Sequence, residues 1–266
     1  MAVIGVIVGF ERAYVIVRRR DPMRNLKLIL AYDGTPYHGW QIQPGLPTIQ
    51  GELQHTLEKI LDHPVVTHGS GRTDAGVHAH GQVVSFTTSV SRDIDALLYG
   101  INALLPDEIR VVSIEEVSPE FHARLSAVAK TYEYHLWRLP VVPPFQCRYV
   151  YAVGYFLDHD AMDRATVQFC GEHDFTAFCA KATASSDLVR EVYEASWERS
   201  DQEWVFRIRG NGFLRYMVRT IVGTLLEVGK GRREPDEIGD LFRAKDRSRA
   251  GPSAPAQGLH LTEVEY

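Results

Sequence analysis

Gly71-Arg72-Thr73-Asp74-Ala75-Gly76-Val77-His78-Ala79-His80-Gly81-Gln82 is a charged, glycine-punctuated stretch set between two apolar runs. Val65-Val66-Thr67 precedes it and Gln82-Val83-Val84-Ser85-Phe86 follows it, so the pattern predicts strand–loop–strand with a charged tip. In extended backbone Arg72 and Asp74 project from one face. A guanidinium beside a carboxylate favours its ionised form, the form able to act as a nucleophile. The same letters also read as a turn carrying a surface ion pair, so the assignment depends on the surrounding chain.

Working outward, Leu26 to Tyr32 reads as a buried strand ended by the turn signal Asp33-Gly34. Thr48 has the character of an N-cap, with Glu52 in the first turn and Leu53, Leu57, Ile60 and Leu61 as the apolar stripe of its helix. Beyond the loop come a helix over Ile94 to Leu105, stopped by Pro106, and a strand over Ile109 to Val117. This order is ferredoxin-like. The second half alternates similarly: a strand over Lys130 to Trp137, a helix over Ala161 to Cys170, and strands at Val189–Arg199 and Glu203–Arg209. A long helix then runs from Phe213 to Val228, a second begins with Pro235 at its first position, and a strand closes from Leu259 to Tyr266. The expected class is α+β: two ferredoxin-like (RRM-like) halves, with antiparallel or mixed sheets, forming a central cleft. The expected units are 23–125, carrying the Asp74 loop, and 126–266.

Residues 1–22 read differently. The apolar stretch from Met1 to Val17 is broken by Glu11-Arg12, and Arg18-Arg19-Arg20 follows it where a secretory signal would have the charges first. It is also too short and interrupted for a membrane span. We expect a disordered arm or a mis-assigned start, with Met23 as the natural first residue.

Of 266 residues, 45% are hydrophobic and 24% charged, ordinary for a globular protein. The three cysteines, Cys147, Cys170 and Cys179, form no Cys-x-x-Cys pair; neither a disulfide framework nor a zinc knuckle is expected, and a cytoplasmic location fits. The net charge of −5 is uneven: Trp204 to Gly251 carries eleven basic and six acidic residues, a net +5 against −10 for the rest. A basic segment on an acidic chain is compatible with a local phosphate-binding surface.

Within that segment, Met217, Ile221, Leu225 and Val228 form the apolar stripe of the long helix, while Arg215 and Arg219, four apart, are expected to stack on one face. Such a pair costs a few tenths of a kcal/mol unless an anion lies between. Tyr132 and Tyr134 share a strand face, where a tyrosine packs in a core, stacks on a base or handles a proton. His78 and His80, with Asp74 and distant His122, offer a metal set, but without the spacing of a recognised site. No GxGxxG or P-loop pattern indicates a nucleotide cofactor.

Taken together, Tyr32-Asp33-Gly34, His38-Gly39-Trp40-Gln41, the loop from Gly71 to Ala79, Phe121-His122-Ala123-Arg124, Lys130-Thr131-Tyr132-Glu133-Tyr134, His173-Asp174-Phe175, Phe213 with Met217 to Gly223, and Gly258-Leu259-His260-Leu261 resemble the TruA-type tRNA pseudouridine synthases. The resemblance runs from about Asn25 to Tyr266. It departs at the N-terminal extension and at Lys181 to Asp187. It implies that Asp74 is the catalytic aspartate, that Tyr132 contacts the target base, that Arg72 aids extrusion of that base and that Arg219 pairs with Asp74. Arg215, Arg124, Lys130 and His78 are further expected RNA contacts. It also implies a homodimer whose basic clefts take the tRNA anticodon stem-loop, modification at positions 38, 39 and 40, and no metal or cofactor.

In that chemistry the target base leaves its stack, at a few kcal/mol. The carboxylate attacks a carbon or steadies an oxocarbenium-like sugar, as in glycoside hydrolysis. Tyr132 would hold the freed base and accept the last proton. Two rivals remain: a metal-dependent phosphoesterase built on Asp74, His78, His80 and His122, and a non-catalytic RNA-binding module.

Overall fold

The computed structural model describes residues 22–180 and 187–266, together with the backbone of a hairpin, β1 (Gly5–Gly9) and β2 (Arg12–Ile16), paired antiparallel and apart from the main sheet. The rest of the extension, expected to be disordered or mis-started, lies outside the described residues. So do 181–186, where the sequence departs from the resembled pattern.

The chain then runs β3 (Arg24–Tyr32), α1 (Ile49–Leu61), β4 (His68–Gly69), β5 (His78–Thr88), α2 (Ile94–Leu104), β6 (Ile109–Val117), β7 (Ala129–Trp137) and β8 (Tyr151–Ala152). It continues with α3 (His159–Thr166), β9 (Gly171–Asp174), β10 (Val189–Arg199), β11 (Glu203–Gly210), α4 (Met217–Gly229), α5 (Glu237–Ala244) and β12 (Leu259–Glu265). The class is α+β. One ten-stranded mixed sheet orders its main strands β6-β3-β5-β12-β7-β11-β10-β9. Strands from before residue 118 and from after 128 occupy opposite ends of it. They meet where β12 runs parallel to β5, His260 opposite His78, and antiparallel to β7.

Local chemistry accounts for most boundaries. The Thr48 hydroxyl accepts from the Gly51 amide at 3.3 Å and starts α1. Leu53, Leu57 and Leu61 of α1 join Leu26, Leu28 and Leu30 of β3 in the core, all buried. Four expectations shift. Val65 to Thr67 is not a strand; pairing begins only at β4. The helix expected over Ala161 to Cys170 starts earlier, capped by Asp158 on the Ala161 amide, and tightens to a 3₁₀ turn at Val167–Phe169. Pro235 precedes the α5 cap Asp236 instead of occupying the first helical position. Finally, α4 begins at Met217, because Tyr216 adopts left-handed backbone (φ 65°, ψ 0°) and cannot continue a helix backwards to Phe213.

That last shift matters most for the site. Met217, Ile221, Leu225 and Val228 are buried as expected, but α4 is enclosed almost all round. Residues 251–255 lie across it: a Cβ on Gly223 would stand 1.7 Å from the Pro252 carbonyl oxygen, so only glycine admits this approach. The Gly251 amide donates to Thr224 Oγ1, and Thr220 bonds Ser253 through their hydroxyls. Among the described residues no helix is long and apolar enough to cross a membrane.

Candidate active site

Asp74 sits on a loop anchored on both sides. The Asp74 carbonyl accepts from the Val77 amide at 3.1 Å, closing a turn whose third residue, Gly76, has φ +76° as a type II turn requires. Upstream, Thr73 is held twice: its carbonyl accepts from the Trp40 amide at 3.1 Å, and its hydroxyl bonds the Tyr32 phenol at 2.9 Å. Gln82, fully buried, donates to the Gly71 carbonyl at 3.0 Å and accepts from Ser70 Oγ at 2.6 Å. Lys130 Nζ donates to the Ser70 carbonyl at 2.7 Å. Satisfied buried polar networks of this kind fix a geometry.

The guanidinium that meets Asp74 is not that of Arg72, its neighbour in sequence. Arg219 Nη1 donates to Asp74 Oδ2 at 3.2 Å, while its Nε donates to the Ala254 carbonyl at 2.7 Å. Arg215 Nε lies 4.0 Å from Asp74 Oδ1. The two arginines therefore converge on one carboxylate, but Arg215 does so from the loop ahead of α4, not by stacking along a helix face. Arg72 is exposed and free of these pairings. The Asp74 side chain keeps 18% of its exposure. Burial is the strongest influence on it and raises its pKa above the ordinary carboxylate value; the Arg219 guanidinium and then Arg215 oppose that rise.

Tyr132 is buried, with its ring edge-on to Phe213 at 5.1 Å. Burial, with Tyr32 and Asp74 nearby, drives its phenol far above the usual range, so it stays protonated at neutral pH. A protonated phenol can donate a hydrogen bond. Tyr134 faces the same way but is structural, donating to the Pro255 carbonyl at 2.8 Å.

Of the other expected contacts, Arg124 and Arg215 are exposed. Lys130 is half-buried, and burial, with Arg124 and Arg190 nearby, lowers its pKa to about 8. His78 is corrected: it is 2% exposed, its Nδ1 accepts from the Gly34 amide at 3.1 Å, and its Nε2 faces the Arg148 carbonyl at 3.0 Å. With both nitrogens occupied it supports the loop and has no surface to offer RNA. The metal set is not assembled either. His80 stacks on His260 and His122 on His68. Among the described residues the only three His/Cys/Asp/Glu ligands within reach of one another are exposed His159, Asp160 and Asp163.

Sequence reasoning missed Tyr32, Thr73, Gln82, Tyr216 and Ala254. Gln82, a polar residue heading an apolar run, carried a readable signal; the others did not.

The model of a family described as tRNA pseudouridine synthase matches residues 28–125 and 165–266. The chain is similar to tRNA pseudouridine synthase A of Brevibacillus brevis, 46% identical over 245 residues, covering 92% of this chain and all of that protein. It is likewise 46% identical over 247 residues to the protein of the same name from Solibacter usitatus, again 92% of this chain and all of the relative. The solved archaeal box H/ACA sRNP Nop10-Cbf5 complex superposes with a TM-score of 0.36 at 14% identity, over 89% of this chain and 48% of that one, too loosely to carry an inference.

Proposed function

The chain belongs to the tRNA pseudouridine synthase family, and from that premise we propose that it converts uridine to pseudouridine at positions 38, 39 and 40 of the tRNA anticodon stem-loop, with Asp74 as the reacting carboxylate. As a member of the family it is an isomerase acting on tRNA. The observation that carries the role of Asp74 is a largely buried carboxylate on an anchored loop with Arg219 at 3.2 Å.

The reaction breaks the bond from ribose C1′ to uracil N1, turns the base, and forms a bond from C1′ to C5. The C5 hydrogen leaves as a proton and N1 gains one. Once the base is out of its stack, Asp74 meets the electron-poor sugar, either bonding to it or removing a proton beside it; both routes need the ionised form. Arg219 holds that charge in place against burial. Tyr132 bounds the base pocket and donates a hydrogen bond as a neutral phenol. Exposed Arg72 fills the gap left in the RNA, and Arg215, Arg124 and Lys130 contact phosphates, which position the strand without reading sequence.

The proposal extends to a cytoplasmic homodimer with stem-loop clefts shared between subunits, and to the division into units 23–125 and 126–266. The test is release of tritium from bulk unmodified tRNA labelled at uridine C5. Release by the wild type, unaffected by EDTA and absent from Asp74→Asn, is expected. A folded wild type that binds tRNA but releases none would make the chain a binding module. EDTA-sensitive cleavage of phosphate esters in the tRNA, with no tritium released, would favour the phosphoesterase.

A further inference from the structure

Among the described residues three non-glycine residues have positive φ: Asp62, Lys245 and Tyr216. Asp62 and Lys245 end helices, where left-handed backbone is a common cap. Tyr216 begins one, at a position where extended backbone is the rule. Its side chain supplies no cap hydrogen bond. Glycine or asparagine would adopt this conformation at less cost. A bulky residue held there indicates that the ring is needed where it stands.

Both cations of the site lie within cation–π reach of the ring. The Arg215 guanidinium carbon is 4.9 Å from its centroid and that of Arg219 is 5.2 Å away. Arg215 Nη2 also donates to the Tyr216 hydroxyl at 3.3 Å. These are the guanidinium groups 4.0 and 3.2 Å from the Asp74 oxygens. Without an aromatic ring to hold both, two like charges at one carboxylate would repel and spread.

We propose that Tyr216 is a positioning residue for the reaction: its ring, set by left-handed backbone at the head of α4, aims Arg215 and Arg219 at Asp74. This rests on the reading of Asp74 as the reacting group. The charged or titratable groups facing Asp74 are Arg219 from α4, Arg215 from the preceding loop and Tyr132 from β7. Residues 251–255 bear on it only through the Ala254 carbonyl that holds Arg219.

The test compares Tyr216→Asn, which tolerates the backbone but lacks the ring, with Tyr216→Phe, which keeps the ring, using unmodified tRNA. For Tyr216→Asn, kcat should fall about ten- to a hundredfold with KM within about threefold, as expected when a group is displaced by an ångström or so. The acid limb of kcat should move to higher pH, because a less well-held guanidinium leaves burial of Asp74 less opposed. Tyr216→Phe should restore both kcat and the limb. Wild-type kcat and pH profile in Tyr216→Asn would overturn the proposal, as would equal losses in the two variants. A raised KM at unchanged kcat would also overturn it and make Tyr216 an RNA contact. Asp74→Asn is run in parallel: if it turns over, the Asp74 reading has failed; if it is dead while Tyr216→Asn is unaffected, only the role of Tyr216 has.

Discussion

Arg219 binds the Asp74 carboxylate with one nitrogen and the Ala254 carbonyl with another, at 3.2 and 2.7 Å. Three stretches of chain far apart in sequence thus meet at a single planar side chain. The fork geometry of arginine suits two simultaneous acceptors, which a lysine ammonium would not hold in the same plane.

Replacing Asp74 by Asn should cut turnover at least about a thousandfold while leaving tRNA affinity within about threefold. Stability should not suffer. A carboxyl whose pKa is raised by folding contributes most when protonated and opposes folding once pH exceeds its folded pKa. An uncharged isostere removes that opposition, so the melting temperature at neutral pH should hold or rise. A marked drop would make Asp74 a structural ion-pair partner.

Arg219→Ala should lower turnover by about a hundredfold, the scale of losing one preorganised electrostatic group. It should also shift the acid limb of the rate upward, since burial then acts on Asp74 with only Arg215 opposing it. Arg219→Lys should fall between. A change confined to tRNA affinity would make Arg219 a phosphate clamp.

Lys130, with its pKa lowered to about 8, should lose its charge as pH rises through that value. Its hold on the Ser70 carbonyl, and the RNA contact proposed for it, would weaken together, giving turnover an alkaline limb near there. Arginine stays charged, so Lys130→Arg should move or abolish that limb. For stability the sign is opposite: the depressed pKa means a penalty present below about 8 that fades as pH climbs towards the unfolded value. Identical rate profiles in the two proteins would exclude Lys130 as the titrating group.

Gly223→Ala should destabilise the fold by about 1–3 kcal/mol, the range for forcing atoms into a packed site. Its Cβ would meet backbone, not a yielding side chain. Turnover should fall beyond what unfolding explains, because the displaced segment carries the Ala254 carbonyl. Urea titration and kinetics on the folded fraction would check both.

Much of this architecture was legible because local signals agreed. Thr48 before the stripe Leu53, Leu57, Leu61 marked α1, and the strand expected over Ile109 to Val117 is β6 to the residue. The start of α4 was not legible. Phe213 to Tyr216 continues a plausible helical pattern, and nothing in a tyrosine announces left-handed backbone. Asp74 could be singled out from its loop chemistry, whereas the partner of its charge could not be read from spacing. Arg72 is two residues away and turned to solvent; Arg219 is 145 residues away and in contact. The hydroxyl of Tyr32 on Thr73 is a tertiary contact with no local trace.

Because β12 lies between β5 and β7, the order of synthesis has a consequence. A nascent chain can make the Asp74 loop, Tyr132 and Arg219 long before the strand that joins their parts of the sheet has left the ribosome. Premature termination between residues 219 and 251 therefore leaves Asp74, Tyr132 and Arg219 all made but without the strand that joins their parts of the sheet, so such unfinished copies should be inert towards RNA chemistry.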